Sequence, residues 1–223
     1  MNFIRFQQFH IPGLLTKFIL FFLCLIPCAT LVHDAVMANL GANPVEEITA
    51  RTGEWALRFL LITLAVSPLR RCYGLKWVGR MRRMLGLYAF FYAVLHMLTY
   101  VVLEQFFDWS MIASELFTRP YLTVGMLGFL MMIPLAMTSF NLAMKWMGKV
   151  RWRLLHRLVY LSATACVLHY LWLVKADYRE PVLYAIVLIV LLASRVVNER
   201  KKAAHAQPRN VDQDVARPVS GPR

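Results

Sequence analysis

The sequence predicts an all-α membrane protein, a bundle of six transmembrane helices with both termini on the cytoplasmic side. Three observations carry that expectation. Hydrophobic residues make up 59% of the 223 positions, above the roughly 45–50% of a soluble domain. Apolar windows recur along the chain at or near the ~20 residues that cross a hydrocarbon core. Basic residues gather in alternate connections between those windows, and lysine and arginine mark the cytoplasmic side.

The first window, Phe18–Leu31, follows only Arg5 and Lys17. No small-residue cleavage site follows it, so an uncleaved helix is expected rather than a signal peptide. The second, Trp55–Val66, is the shortest. The third, Leu85–Leu103, follows the basic segment Arg70–Arg83, and the fourth is Leu122–Thr138. The fifth, Leu154–Val174, follows a second basic segment, Lys145–Arg157, and the sixth is Val182–Val197. The intervening connections carry acids instead, Asp34, Glu46, Glu47 and Glu54 in one and Glu104, Asp108 and Glu115 in the next. Helices three and five therefore run outward in parallel. Residues 1–197 form the membrane domain, and the polar stretch 198–223, with Pro208, Pro218 and Pro222, reads as a disordered cytoplasmic tail.

A net charge of +13 is accounted for by topology and attraction to anionic membrane lipid, with no nucleic-acid role, because no aromatic-interleaved basic patch occurs. Three of the four cysteines, Cys24, Cys28 and Cys166, fall inside apolar windows. With Cys72 they are packing residues, not a disulfide framework.

Two histidines stand out from the six. His10 and His205 fall in polar termini, and His33 sits at a helix end. His96 and His169 lie deep within windows three and five, each thirteen positions beyond the basic boundary at Arg83 or His156. At ~1.5 Å per residue each stands about 20 Å from that boundary, so the two share a depth nearer the outer face. Ionisable groups within a membrane are functional by default, and two opposed imidazoles suit the axial positions of a six-coordinate haem iron. Small residues accompany them, Ala89 and Ala93 on one helix and Ser162 and Ala165 on the other. They leave room for a flat macrocycle, although small residues also serve ordinary helix packing. His156, in "WRLLHRLVY", has two readings: the ligand of a second haem, or an interfacial histidine beside basic residues. Arg58 and Arg119 sit toward the outer face, where each either pairs with a haem propionate or snorkels to its interface.

Other chemistries find no support. There is no C-x-x-C-H, so a haem would be held without thioether bonds. There is no G-x-G-x-x-G turn, nucleophile triad or zinc motif, and only a tail follows window six, so electrons are expected from elsewhere. A histidine-relay proton or ion transporter is a rival from another class, but relays recruit carboxylates at mid-membrane depth, and every acid here lies in a loop, a helix end or the tail. A cofactor-free membrane scaffold is the third.

The runs "LGANPVEEITARTGEWALRFLLITLAVSPLRR", "RRMLGLYAFFYAVLHMLTY", "TRPYLTVG" and "WRLLHRLVYLSATACVLHYLW" together resemble the MsrQ (YedZ) family of ferric-reductase-like transmembrane proteins, over about residues 38 to 197. The resemblance implies a b-type haem bundle in a bacterial inner membrane, with ligand roles at His96 and His169 and a further one at His156. It also implies an FMN without identifying its contacts, a quinol or a cytosolic flavin reductase as donor, and the periplasmic molybdopterin enzyme MsrP as acceptor. The wider family pattern has two histidines on each of two helices, whereas window three has one, which leaves the number of haems open between one and two.

Overall fold

A computed structural model describes residues 13–74 and 77–206. All the regular structure among them is helical: α1 (Gly13–Val36), α2 (Pro44–Tyr73), α3 (Val78–Leu98), α4 (Trp109–Thr118), α5 (Pro120–Met137), α6 (Asn141–Leu155), α7 (Leu158–Leu173) and α8 (Arg179–Ala206). A π-helical turn, Thr99–Glu104, continues α3. Four helices are long and apolar enough to cross a membrane, within Leu15–Val36, Val78–Glu104, Pro120–Met137 and Arg179–Arg200. The bent pair α6 and α7 makes a fifth if it is counted as one span.

The exception is α2, and its position explains why. Its buried residues include the consecutive run Phe59, Leu60 and Leu61 and continue through Thr63, Leu64 and Val66. Such a run covers well over half the circumference of a helix of 3.6 residues per turn, leaving Ile62, 45% exposed, on the outer side. α2 is therefore the central helix, packed along α3 and also touching α1, α7 and α8. Its termini are capped in the chain's own chemistry. Asn43 accepts from the Glu46 N–H and donates to the Glu46 carboxylate, Pro44 sits in the first turn, and Gly74 ends the helix in the left-handed region at φ 67°. The outer helices present apolar side chains outward, such as Phe22 on α1 and Ile189 on α8, both 64% exposed. That is the expected surface for lipid.

α1 is held by an inserted hydroxyl. Pro27 lies inside it, where a proline removes one rung of the helix ladder and crowds another. The Tyr92 hydroxyl donates to the Cys24 carbonyl at 2.9 Å and accepts from the Cys28 N–H at 3.0 Å. It thus occupies the Cys24–Cys28 rung beside the proline. One turn earlier on α3, the Tyr88 hydroxyl donates to the Phe21 carbonyl at 2.9 Å.

Two expectations need correction. Window five is not one helix: α6 and α7 meet at a 42° bend. The Trp152 indole donates to the Thr138 carbonyl and His156 bonds the Thr138 hydroxyl, which anchors the end of α6 to the end of α5. The tail does not begin at Asn198, because α8 continues through Ala206. Glu199, Arg200, Lys201, Lys202, Ala203 and Ala204 are good helix formers. The rest of the tail, like His10, lies outside the described residues. The four cysteines are free thiols.

Charge divides the two ends of the bundle. Every ion pair among the described residues lies in the half of the bundle holding the start of α2: Arg51 with Asp34 and Glu47, Arg58 with Glu54, Arg119 with Glu115, and His33 with Asp34. The opposite end carries Arg70, Arg71, Arg80, Arg82 and Arg83.

Candidate functional site

The helices pack chiefly as two pairs, α2 with α3 and α5 with α7. The two central histidines sit one in each pair, His96 in the last turn of α3 and His169 in the last turns of α7. Their rings face each other toward the acidic end of the bundle, with centroids 6.2 Å apart and planes at 71°.

Each ring is fixed by the same device. The His96 Nδ1 donates to the Thr49 carbonyl of α2 at 2.9 Å, and the His169 Nδ1 donates to the Tyr121 carbonyl of α5 at 2.7 Å. A carbonyl only accepts, so Nδ1 carries the proton in both rings and Nε2 keeps its lone pair. Four residues beyond each carbonyl stands a glycine, Gly53 or Gly125. A Cβ at Gly53 would lie 3.0 Å from His96 ring atoms, and one at Gly125 would lie 2.7 Å from the His169 Nδ1. The absent side chains are what let each imidazole reach a carbonyl on the neighbouring helix wall.

Further contacts lock the frame. The Thr49 hydroxyl donates to Glu104 at 2.9 Å, tying α2 to the π-helical turn, and the Thr99 hydroxyl donates to the His96 carbonyl at 2.8 Å. Glu115 accepts from Tyr100 and Gln105, each at 2.9 Å. Short π-helical turns inside helices occur frequently at functional sites.

The donor set limits what could bind. Among the described residues no three His, Cys, Asp or Glu side chains gather as a metal site. The two imidazoles would supply only two nitrogen donors, so a metal held between them would have to bring further ligands of its own. Two metal–nitrogen bonds of about 2 Å, added to the two ring radii, account for a centroid separation of this size. The residues therefore fit a haem.

His156 is placed differently. It caps the end of α6, stacked on Trp152 with centroids 3.9 Å apart. Its Nε2 lies 3.1 Å from the Thr138 hydroxyl, whose own hydrogen goes to the Pro134 carbonyl at 2.6 Å. Nε2 is thus the protonated nitrogen, the reverse of His96 and His169. Arg82 bonds Ser67 and Arg83 bonds Asn141. Arg58 is held by Glu54 and the Tyr184 hydroxyl, and Arg119 by Glu115 and Tyr121.

Of the accompanying small residues, Ser162 and Ala165 pack α7 on α5. The Ser162 hydroxyl donates to the Gly128 carbonyl, and a Cβ at Gly128 would touch Ala165. Ala89 is fully buried in the core. Thr49, Gly53, Tyr121 and Gly125 were not anticipated. Their only signal is a glycine inside a helical stretch, which costs about 1 kcal/mol against alanine and so implies a reason.

The family described as "Ferric reductase like transmembrane component" matches residues 48–167, a span that contains His96 and His156 and stops just short of His169. A protein of Azospira oryzae named "Protein-methionine-sulfoxide reductase heme-binding subunit MsrQ" is 50% identical over 182 residues, covering 81% of this chain and 78% of that relative. Proteins of the same name from Caulobacter vibrioides and Rhodospirillum rubrum are 43% and 46% identical, covering 83% and 82% of this chain and 88% of each relative. Similarity of that extent, over the segments that build the histidine pair, places the chain in the MsrQ family of ferric-reductase-like transmembrane proteins.

Proposed function

We propose that the protein is a membrane b-type cytochrome that passes electrons to a periplasmic methionine sulfoxide reductase of the MsrP type, a molybdopterin enzyme, and so supports repair of oxidised periplasmic proteins. The observation that carries this reading is the pair of facing imidazoles with both Nδ1 protons committed to backbone carbonyls. His96 and His169 would hold the haem iron through Nε2. The group would supply a one-electron iron couple at the outer side of the bundle.

The chain's own contribution is orientation. The Thr49 and Tyr121 carbonyls fix ring rotation and tautomer and raise the basicity of the nitrogens that remain. A haem held by both His96 and His169 would have no protein-side position left for substrate, which suits electron transfer rather than bond-making. Six spans follow if α2, α7 and the four apolar helices all cross, and the basic end is then cytoplasmic, in a bacterial inner membrane. The donor is a quinol or a cytosolic flavin reductase. An FMN belongs to the reading through the family resemblance alone and has no assigned residues. A second haem at His156 would require that ring to leave Thr138 or to bind through Nδ1.

Protein purified in mild detergent is expected to show a Soret band with sharp α and β bands on reduction. His96→Ala and His169→Ala should each abolish them while helical circular dichroism persists. A folded but colourless wild-type protein would overturn the proposal.

A further inference from the structure

At the basic end, far from the histidine pair, α2, α7 and α8 leave a shallow surface cleft, open to its surroundings. α2 and α8 both run toward this end and change character in step. On α2, Leu64 gives way to Ser67 and Arg71, and on α8, Leu191 and Leu192 give way to Ser194 and Arg195. The cleft thus has an apolar floor and a rim of two guanidinium groups.

Neither arginine has an acidic partner among the described ion pairs, all of which lie in the other half of the bundle. The Arg195 guanidinium carbon sits over the Tyr160 ring, 4.5 Å from its centroid. That stacking orients a planar fork while leaving its edge free for an anion. Arg82 donates to the oxygen of Ser67, which lines the cleft, at 3.4 Å, bringing a third positive charge close to it. Pro68 also lines the cleft, and it has no N–H to return to the Leu64 carbonyl one turn earlier.

We propose that this cleft binds the phosphate of an anionic phospholipid, with the headgroup between Arg71 and Arg195 and an acyl chain over Leu64, Leu191 and Leu192. Arginine forks match phosphate oxygens in pairs. Basic pockets between membrane helices suit such headgroups. The apolar floor and the lipid-facing neighbours on α8, Val187 and Val190, favour a tailed ligand over free phosphate. The site is independent of the haem reading.

The test is native mass spectrometry of the delipidated full chain with three probes: phosphatidylglycerol, phosphatidylcholine and inorganic phosphate. The wild type is expected to retain one phosphatidylglycerol under conditions where phosphatidylcholine is lost and phosphate does not compete. Arg71→Gln with Arg195→Gln should weaken retention about tenfold or more. Arg151→Gln with Arg153→Gln, on exposed basic residues elsewhere, should leave it unchanged. Should the glutamine pair fail to fold, Arg71→Lys with Arg195→Lys keeps the charge but removes the forks and should still bind more weakly than wild type. Equal retention in the wild type and both rim variants, equal retention of phosphatidylcholine, or displacement by phosphate at lipid-like concentration would each overturn the proposal.

Discussion

At the scale of single residues, the site depends on two missing methyl groups. Alanine is a better helix former than glycine by about 1 kcal/mol, so Gly53→Ala and Gly125→Ala would stabilise their helices if nothing faced them. Each histidine ring instead fills the space, and the contact is tighter at Gly125, 2.7 Å against 3.0 Å. Displacing a group that orients a metal ligand typically costs 10–100-fold in affinity. Haem occupancy, read as pyridine haemochrome per protein, is expected to fall about 10–100-fold in affinity for Gly125→Ala and less for Gly53→Ala; equal occupancy in all three proteins would refute this role. The histidines were legible because an ionisable group in an apolar run needs a partner. The glycines were not, because the carbonyls they uncover serve histidines 47 and 48 positions away, and no local pattern records a contact of that range. His156 was legible as a histidine but not in its state, which rests on where the Thr138 hydroxyl sends its proton. Since neither ring anchor involves it, His156→Ala should leave the bis-histidine absorption spectrum in place, and iron per chain in the same sample counts any second haem.

At the scale of elements, apolar windows located the helices well, since each window falls on helical structure. Hydropathy cannot see what surrounds a helix. α2 carries Glu54 and Arg58 as a mutually satisfied pair and is covered by protein over most of its circumference, so it needs less apolar surface than a lipid-facing helix of equal length. The bend between α6 and α7 was equally hidden, because the side chains that set it reach across to Thr138. The inserted Tyr92 hydroxyl yields a prediction of the same kind. Tyr92 is 1% exposed, and Tyr92→Phe strands the Cys24 carbonyl and the Cys28 N–H in a buried place beside Pro27. The expected loss is about 1–3 kcal/mol, seen as a lower melting temperature in detergent with the haem spectrum of the folded protein unaltered. An unchanged melting temperature would mean that α1 closes its own rung once the hydroxyl is gone.

At the scale of the molecule, the charge difference between the two ends bears on which face of the membrane an electron acceptor would meet. His96 and His169 sit toward the end with the acid–base pairs, while Arg70, Arg71, Arg80, Arg82 and Arg83 gather at the other. If the arginine end is cytoplasmic, the haem stands close to the periplasmic surface, where an acceptor enzyme can approach within transfer distance. Two positions make this testable with little disturbance. Cys72 is exposed at the arginine end, and Phe117 is 90% exposed on α4 at the other. In the native chain, a membrane-impermeant maleimide should label Cys72 in inverted inner-membrane vesicles and not in spheroplasts. In a Cys72→Ser background, Phe117→Cys should show the reverse. The other three cysteines are buried or half-buried within helices and supply the background in both preparations. The opposite labelling pattern would turn the bundle over, leaving the histidine pair facing the cytoplasm and unable to serve a periplasmic acceptor by direct contact.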